Sequence, residues 1–258
     1  MSNIMKPKII ILHGNHNTKH TDAWYNSLGD KFIEEGYEVD VRTHEENVIN
    51  SRTEIINTLK YVMNCDENTI IIGHSSGSLV CMRYAEFYKA LGLVLVTPYY
   101  SDMGNQHEKD SGYFDFKWDR ISMQENVKWI LQFSSDTDPF IPYKEQSQII
   151  RRMLRHKQDR NTCDIVEKFD FNFYKCVDMH HIGKKFKTAN FIFELVNMKI
   201  MSLQLPQQLT SNEITDEDQE INVNIELVED GEEEESICIK SGYKLLPIDC
   251  ELNIHWKN

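Results

Sequence analysis

Short apolar runs rich in isoleucine and valine alternate with amphipathic segments through most of this chain. The runs predict strands at Lys8–Leu12, Thr69–Ile72, Leu91–Val96, Val127–Phe133 and Phe169–Val177. Between them, apolar residues recur at three- and four-residue steps, which places them on one face of a helix. Strands that alternate with helices predict an α/β protein.

The strand predicted at Thr69–Ile72 runs directly into Gly-His-Ser-Ser-Gly at residues 73–77, and a helical pattern follows. The apolar face of that helix consists of Leu79, Val80, Tyr84 and Phe87, with Arg83 at its margin. This order predicts a nucleophile elbow, in which Ser75 is presented on a strained turn. Gly73 and Gly77 are expected there because the neighbouring backbone leaves no space for a Cβ atom. The positive end of the helix dipole favours an oxyanion beside the serine.

A triad on this kind of fold needs an acid and then a histidine after the serine. The strand predicted at Val127–Phe133 ends at Asp136 and Asp138, and ligands of open α/β sheets bind at such strand ends. Asp138 is preferred because Pro139 and Pro142 fix the loop behind it.

The histidine is expected after the last predicted strand, Phe169–Val177, and before a final helical pattern over residues 186–196. Two adjacent histidines, His180 and His181, stand in that loop. Either can serve as a general base. The position after the last strand supports both, so the residue pattern leaves the choice open.

Several separate motifs agree in order and spacing with one family of enzymes. They are Cys65–Gly77, Met82–Glu86, Ser111–Phe114 and Asp138–Phe140. Over about residues 6–155, the chain resembles the retinoblastoma-binding protein 9 family of small serine hydrolases. The resemblance implies an α/β-hydrolase-like fold, with a mostly parallel central sheet, helices on both faces and a small or absent lid.

The resemblance also implies roles for individual residues. It places the nucleophile at Ser75 and the acid at Asp138. The family has its histidine three residues after an aspartate, and Asp178 keeps that spacing to His181, which is therefore preferred over His180.

Some members of the family carry a Leu-x-Cys-x-Glu motif that binds the retinoblastoma protein. Here Met63 stands in place of the leucine. The stretch links a helix to the central strand and is expected in the packed body, so we do not expect retinoblastoma-protein binding.

The backbone N–H of Ser76 is the expected first oxyanion donor, since it follows the nucleophile. The second donor is expected in the loop after the first strand, at Asn15 or His16. The histidines at positions 13, 16 and 20 could be read as ligands of a metal ion. No Cys-x-x-Cys or His-Glu-x-x-His accompanies them, so we expect neither a metal nor a cofactor.

These residues predict a serine hydrolase that cleaves a small ester or amide, or a short peptide, through an acyl-enzyme intermediate. A transferase would use the same triad, and a catalytically silent interaction protein could keep the same fold. About thirty residues before Val127 hold Tyr99, Tyr100, Tyr113, Phe114, Phe116 and Trp118. These rings either line a pocket for apolar groups or pack the insert onto the sheet. Trp24 and Tyr25 are expected at the mouth of the same pocket.

Composition indicates the compartment. The chain has 258 residues, of which 40% are hydrophobic and 27% charged, as in globular proteins. It has no apolar run of about 18 residues, and Met1–Lys8 is polar, so we expect a cytosolic protein without a membrane partner. The six cysteines, Cys65, Cys81, Cys163, Cys176, Cys238 and Cys250, lack paired spacing and are expected to be reduced.

Charge divides the chain at Leu205. The net charge is −13, and from Leu205 onward 14 acidic residues stand against three lysines. We therefore predict a hydrolase domain over residues 1–204 and an acidic, largely disordered extension over residues 205–258. The alternation at Ile221–Leu227 allows a marginal hairpin. Such an acidic chain, without a Gly-rich phosphate loop, is not expected to bind nucleic acid.

Overall fold

A parallel β-sheet forms the centre of the structure, a computed structural model that describes residues 6–15, 18–44, 51–153, 169–204 and 252–255. Its strands are β1 (Lys8–Leu12), β2 (Val39–Val41), β3 (Thr69–His74), β4 (Ala90–Val96), β5 (Val127–Ser135), β6 (Asp170–Val177) and β7 (Leu252–His255). They pair in the order β2-β1-β3-β4-β5-β6-β7, and every pair is parallel. The five predicted strands are confirmed, and β2 and β7 are additional.

Helices cover both faces of the sheet. They are α1 (Tyr25–Glu34), α2 (Ser51–Asn57), α3 (Ser76–Ala85), α4 (Gln106–Asp110), α5 (Arg120–Asn126), α6 (Tyr143–Gln146), α7 (Gln148–Met153) and α8 (Asn190–Gln204), with a π-helical turn at Thr58–Val62. Residues of α1 and α8 share one hydrophobic core, and residues of α2, α3 and α5 share another. The predicted α/β architecture with helices on both faces is confirmed.

Successive residues of each central strand enter these two cores, because side chains alternate along a strand. On β3, Ile70 and Ile72 pack with α1 and α8, whereas Ile71 packs with α2 and α3. Both faces are therefore buried, and such strands read as continuous apolar runs. This burial explains why the central strands are visible in the sequence.

Helix α3 differs from the amphipathic helix that its sequence predicts, because every residue from Ser76 to Ala85 is buried. Arg83, expected at the margin, is only 1% exposed, and Phe87 lies beyond the helix end and is 64% exposed. Arg83 Nη1 donates to both carboxylate oxygens of Glu86 at 2.7 Å. Its other nitrogens donate to the carbonyls of Tyr113 and Phe116. Arg83, held by the ion pair with Glu86, therefore joins α3 to the insert between β4 and β5 through charge-assisted hydrogen bonds.

Part of the predicted acidic extension is described. Leu252–His255 forms β7 beside β6, which no sequence pattern anticipated. The hairpin considered at residues 221–227 lies outside the described residues, as do Cys163, Cys238 and Cys250. The boundary at residue 205 and the disorder of the extension remain predictions.

Three cysteines, Cys65, Cys81 and Cys176, are buried free thiols. None of the helices in the described ranges is both long and apolar enough to span a membrane.

Candidate active site

Ser75 stands between β3 and α3 in a backbone conformation that L-residues rarely adopt. Its φ is 54° and its ψ is −120°. Such strain costs about 1–3 kcal/mol and persists only where the surroundings hold it. Here the Ser75 N–H donates to the Val96 carbonyl at 2.8 Å, and the Ser75 carbonyl accepts from the Ser78 N–H at 2.9 Å. The predicted strand, turn and helix around the serine are confirmed.

The two glycines of the motif permit close backbone approach. A Cβ on Gly73 would lie 2.3 Å from the Gly77 carbonyl oxygen, and a Cβ on Gly77 would lie 2.7 Å from the Leu12 carbonyl oxygen. Both obstacles are backbone atoms, so no side-chain rotation could relieve the clash. The glycines therefore let the start of α3 pack directly against β1 and β3.

The loops after β5 and β6 bring Asp138 and His181 together. His181 Nδ1 lies 2.8 Å from Asp138 Oδ2, and the Asp138 side chain is fully buried. The same carboxylate accepts hydrogen bonds from the backbone N–H groups of Phe140 and Ile141 and from Gln146 Nε2. With Nδ1 donating to a carboxylate, Nε2 is the His181 nitrogen left to exchange a proton.

The competing aspartate and histidine have other contacts. Asp136 accepts the backbone N–H of Asp178 at 3.1 Å and lies 3.6 Å from Lys175 Nζ. His180 is exposed, and its backbone N–H donates to Thr137 Oγ1. Of the pairs that the residue pattern left open, the structure joins Asp138 with His181.

His181 also lies beside the residue that precedes the serine. The ring centroids of His74 and His181 are 4.8 Å apart. His74 Nε2 donates to the His181 carbonyl at 2.8 Å, and Thr97 Oγ1 lies 3.5 Å from the same oxygen. The three predicted triad residues therefore occupy one edge of the sheet, at the carboxyl ends of β3, β5 and β6.

Ser76 and the loop after β1, which were predicted to supply the oxyanion donors, lie on either side of Ser75 in the described part of the chain. Ser76 is the first residue of α3, so its N–H has no carbonyl partner within the helix. A Cβ on Gly14 would lie 3.0 Å from Ser75 Cβ, so the loop after β1 passes beside the nucleophile. Asn15 belongs to that loop, whereas His16 lies outside the described residues.

A buried glutamate that the sequence did not single out contacts this loop. Glu108 is 8% exposed and accepts hydrogen bonds from Asn15 Nδ2 at 3.2 Å and from the Tyr99 hydroxyl at 2.6 Å. In the sequence it is one charged residue of an aromatic-rich insert, with no motif around it. It links the insert to the loop after β1.

Trp24 and Tyr25 were expected at a pocket mouth, and this prediction is wrong. They are 0% and 1% exposed. Trp24 Nε1 donates to the Ile182 carbonyl at 2.7 Å, and the Tyr25 hydroxyl lies 2.7 Å from His74 Nδ1. Both side chains are therefore buried and contact residues next to the candidate triad, Ile182 beside His181 and His74 beside Ser75.

The aromatic rings of the insert serve mainly to pack it onto the sheet. Tyr99 and Tyr113 are buried, and Phe114 and Trp118 pack half-buried against the same core. Phe116 is 65% exposed. The packing alternative thus describes most of these rings.

A cavity lies beside Phe140, the residue whose ring contacts His181. A cavity of about 600 Å³ is lined by Met103, Asn105, Phe140, Pro142, Lys144, Glu145 and Gln148. The Phe140 ring meets the His181 ring edge-on, with centroids 5.2 Å apart. Phe140 is 68% exposed and Met103 is 40% exposed. Apolar surface therefore remains uncovered next to the histidine.

The histidines considered for a metal have separate contacts. His13 Nδ1 donates to the Gly14 carbonyl at 2.7 Å, and its Nε2 accepts from the His44 N–H. His20 Nδ1 lies 2.6 Å from Thr43 Oγ1. Within the described ranges, no three His, Cys, Asp or Glu residues are grouped so that they could hold a metal ion.

Acidification is expected to lower the free energy of unfolding through His74. Burial, followed by the proximity of His181, lowers the pKa of His74 from 6.5 to about 3. Between these values the unfolded chain binds a proton at this residue and the folded chain does not. Stability contributed by the neutral ring is therefore present above pH 6.5 and is lost as the pH falls. The slope from one such proton is at most about 1.4 kcal/mol per pH unit.

Urea unfolding of the parent and of His74→Gln, from about pH 4 to pH 7, measures this contribution. On acidification, the free energy of unfolding should fall more steeply in the parent than in His74→Gln. The difference in slope should correspond to at most one proton taken up on unfolding. His107→Gln, at an exposed histidine, should follow the parent. Equal slopes in the parent and His74→Gln would contradict the prediction.

Part of the sequence is similar to known serine hydrolases. A family model described as "Serine hydrolase" matches residues 9–156. Serine hydrolase RBBP9 from Rattus norvegicus is 47% identical over 91 residues, which span 35% of this chain and 49% of the rat protein. The chain thus aligns with about half the length of that relative.

Solved structures show the same fold. The ydeN gene product of B. subtilis superposes with a TM-score of 0.63 at 16% identity, over 76% of this chain and all of the bacterial one. MGS-M1, an α/β-hydrolase enzyme from a Medee basin deep-sea metagenome library, superposes with a TM-score of 0.50 at 16% identity, over 79% of this chain and 86% of its own. The predicted α/β-hydrolase fold is confirmed.

Proposed function

Because this chain belongs to the serine hydrolase family, we propose that it cleaves a small ester or amide substrate with Ser75 as the nucleophile. The observation that carries this proposal is the hydrogen bond of 2.8 Å between His181 and the buried carboxylate of Asp138, beside the strained turn at Ser75. A neutral imidazole held by a carboxylate through Nδ1 is the general base that such a serine needs.

In the proposed mechanism, Ser75 Oγ attacks the substrate carbonyl carbon while His181 Nε2 takes its proton. The Ser76 N–H and an N–H of the loop at Asn15 and His16 hold the resulting oxyanion. His181 then gives the proton to the leaving alkoxide or amine, and the C–O or C–N bond breaks to leave an acyl-serine. Water attacks this ester as His181 takes its proton, and Ser75 leaves with that proton.

We propose that the cavity beside Phe140 receives one side of the substrate. The contact of its lining residue Phe140 with His181 and the exposed surfaces of Phe140 and Met103 support an apolar acyl or leaving group there. Lys144 and Glu145, which also line this cavity, favour a substrate that carries polar groups as well. A small molecule or a short peptide end fits this description.

Two further expectations concern partners and location. Met63 and Cys65 are 2% and 1% exposed, so a retinoblastoma-protein contact through this stretch would require local unfolding. We therefore propose that the chain does not bind that protein. We also propose a cytosolic location, which the buried free thiols of Cys65, Cys81 and Cys176 support.

A fluorophosphonate probe tests the proposed nucleophile. Such a probe phosphonylates an activated serine, and we expect one adduct per chain, assigned to Ser75 by fragmentation of the modified peptide. Incubation with p-nitrophenyl acetate and with a p-nitroanilide then compares ester with amide cleavage, and product analysis with an added amine separates hydrolysis from transfer. A folded chain that takes no adduct would instead favour the non-catalytic interaction protein.

A further inference from the structure

The loop that carries His181 is unusually strained. Asp178, His180 and Ile182 have φ values of 59°, 47° and 47°, although none of them is a glycine. A residue other than glycine is strained in this conformation and keeps it only where the surrounding structure over-determines it. The position of the His181 ring therefore depends on the contacts that hold this loop.

The buried side chains of Trp24 and His74 supply these contacts. Ile182 is fully buried, and its carbonyl accepts from Trp24 Nε1. The His181 carbonyl accepts from His74 Nε2 at 2.8 Å. The Thr97 hydroxyl reaches the same oxygen only at 3.5 Å, where hydrogen bonds are weak. His74 therefore makes the principal hydrogen bond to the backbone of the candidate base.

The direction of the hydrogen bonds around His74 follows from its partners. A carbonyl oxygen can only accept, so His74 Nε2 must carry a hydrogen. Because burial lowers the pKa of His74 to about 3, the ring is neutral and Nδ1 has a lone pair. Nδ1 must then accept from the Tyr25 hydroxyl at 2.7 Å. The phenol stays protonated because burial raises the pKa of Tyr25.

Tyr25 also contacts the loop after β1. The Gly14 backbone offsets part of the rise in the pKa of Tyr25 that burial causes, so this loop lies near the phenol oxygen. The same phenol thus lies near the loop beside the nucleophile and donates to His74. His74 itself is the residue before Ser75, so the contacts join three loops of the candidate site.

We infer that Tyr25 and His74 are positioning residues, which fix the His181 ring through a relay from the Tyr25 hydroxyl to His74 and on to the His181 carbonyl. This inference rests on the proposed function of His181 as the general base. In the proposed mechanism, neither residue touches the reacting atoms. Tyr25 holds His74 in the tautomer that donates to the loop, and His74 holds the strained loop in place.

Three variants test the relay. Tyr25→Phe removes the donor to His74 and should lower kcat about 10-fold, with KM changed less than about threefold. His74→Leu removes both hydrogen bonds and should lower kcat about 100-fold, as misplacement by about 1 Å does elsewhere. His74→Gln keeps an amide that can donate to the His181 carbonyl, and should recover at least about 10-fold over the leucine variant.

Tyr84→Phe is the matched control. The Tyr84 hydroxyl donates to the Cys65 carbonyl at 2.8 Å and is likewise buried, but it packs in the other core. Its loss should lower Tm about as much as Tyr25→Phe, while kcat stays within about twofold of the parent. An equal fall in kcat in both phenylalanine variants would overturn the inference, because it would reflect general destabilisation.

A measurement without turnover separates this inference from the proposed function. The proton between His181 Nδ1 and Asp138 should give a far-downfield NMR signal in the parent. We expect the signal to broaden or vanish in His74→Leu and to return in His74→Gln. A signal that is unchanged in both Tyr25→Phe and His74→Leu would overturn the relay even if Ser75 takes the fluorophosphonate. A parent that takes no adduct but shows the expected NMR changes would overturn only the proposed function.

Discussion

Ser75→Ala is expected to lower kcat/KM for an activated ester by about 10⁴-fold or more. The hydroxyl is the only atom group removed, so the oxyanion donors and the His181–Asp138 pair remain. What survives should be the residual catalysis of about 10³- to 10⁴-fold over water that such sites keep without their nucleophile. Hydrolysis of p-nitrophenyl acetate, followed at saturating and limiting concentrations, measures the loss.

Ser78→Ala provides the matched control for this substitution. Ser78 lies in the same buried turn, and its hydroxyl donates to the Gly73 carbonyl at 2.7 Å. Its loss should affect Tm, while the turnover should stay within about threefold of the parent. If Ser75→Ala hydrolysed the ester as fast as the parent, the nucleophile would have to be another group.

His181→Ala is expected to have an effect of similar size, about 10⁴-fold on kcat, because Ser75 would lose its base and the leaving group its acid. His180→Ala should leave kcat within about threefold, since His180 is exposed and its described hydrogen bond involves the backbone N–H, which alanine keeps. The two alanine variants change neighbouring positions of one loop. Their comparison therefore separates the loss of the base from a general disturbance of the loop.

The rate of fluorophosphonate labelling provides a second measurement on the same two variants. It should fall in His181→Ala and not in His180→Ala. The reverse order would assign the base to His180, and equal losses would point to the conformation of the loop. Both chains should first be shown to unfold cooperatively in urea.

The central strands could be predicted from the sequence because they are buried on both faces. Thr69–His74 and Ala90–Val96 are buried at every position and read as continuous apolar runs. Strand β2, Val39–Val41, has only three residues, all partly exposed. So short a segment at the edge of the sheet carries too little pattern to be recognised.

The local geometry around Ser75 could be predicted from the sequence. The turn at Ser75 depends on glycines within a few residues, so its motif is visible in the chain. Which aspartate meets which histidine depends on how the loops after β5 and β6 fold towards each other, and only the family resemblance favoured His181. The contact of Tyr25 with His74 joins residues 49 positions apart. No spacing rule reports such a contact, and the aromatic pattern at Tyr25 suggested a pocket instead.

The crossover between β4 and β5 has a consequence for evolvability. It passes from one strand to its paired neighbour without supplying Ser75, Asp138 or His181. Its hydrogen bond to the loop after β1 is made through Glu108. A connection of different length or composition would therefore change substrate specificity. The proposed catalytic residues lie on other loops and would stay in place. A transplanted connection that retains a carboxylate facing Asn15 is the version that should leave the existing chemistry intact.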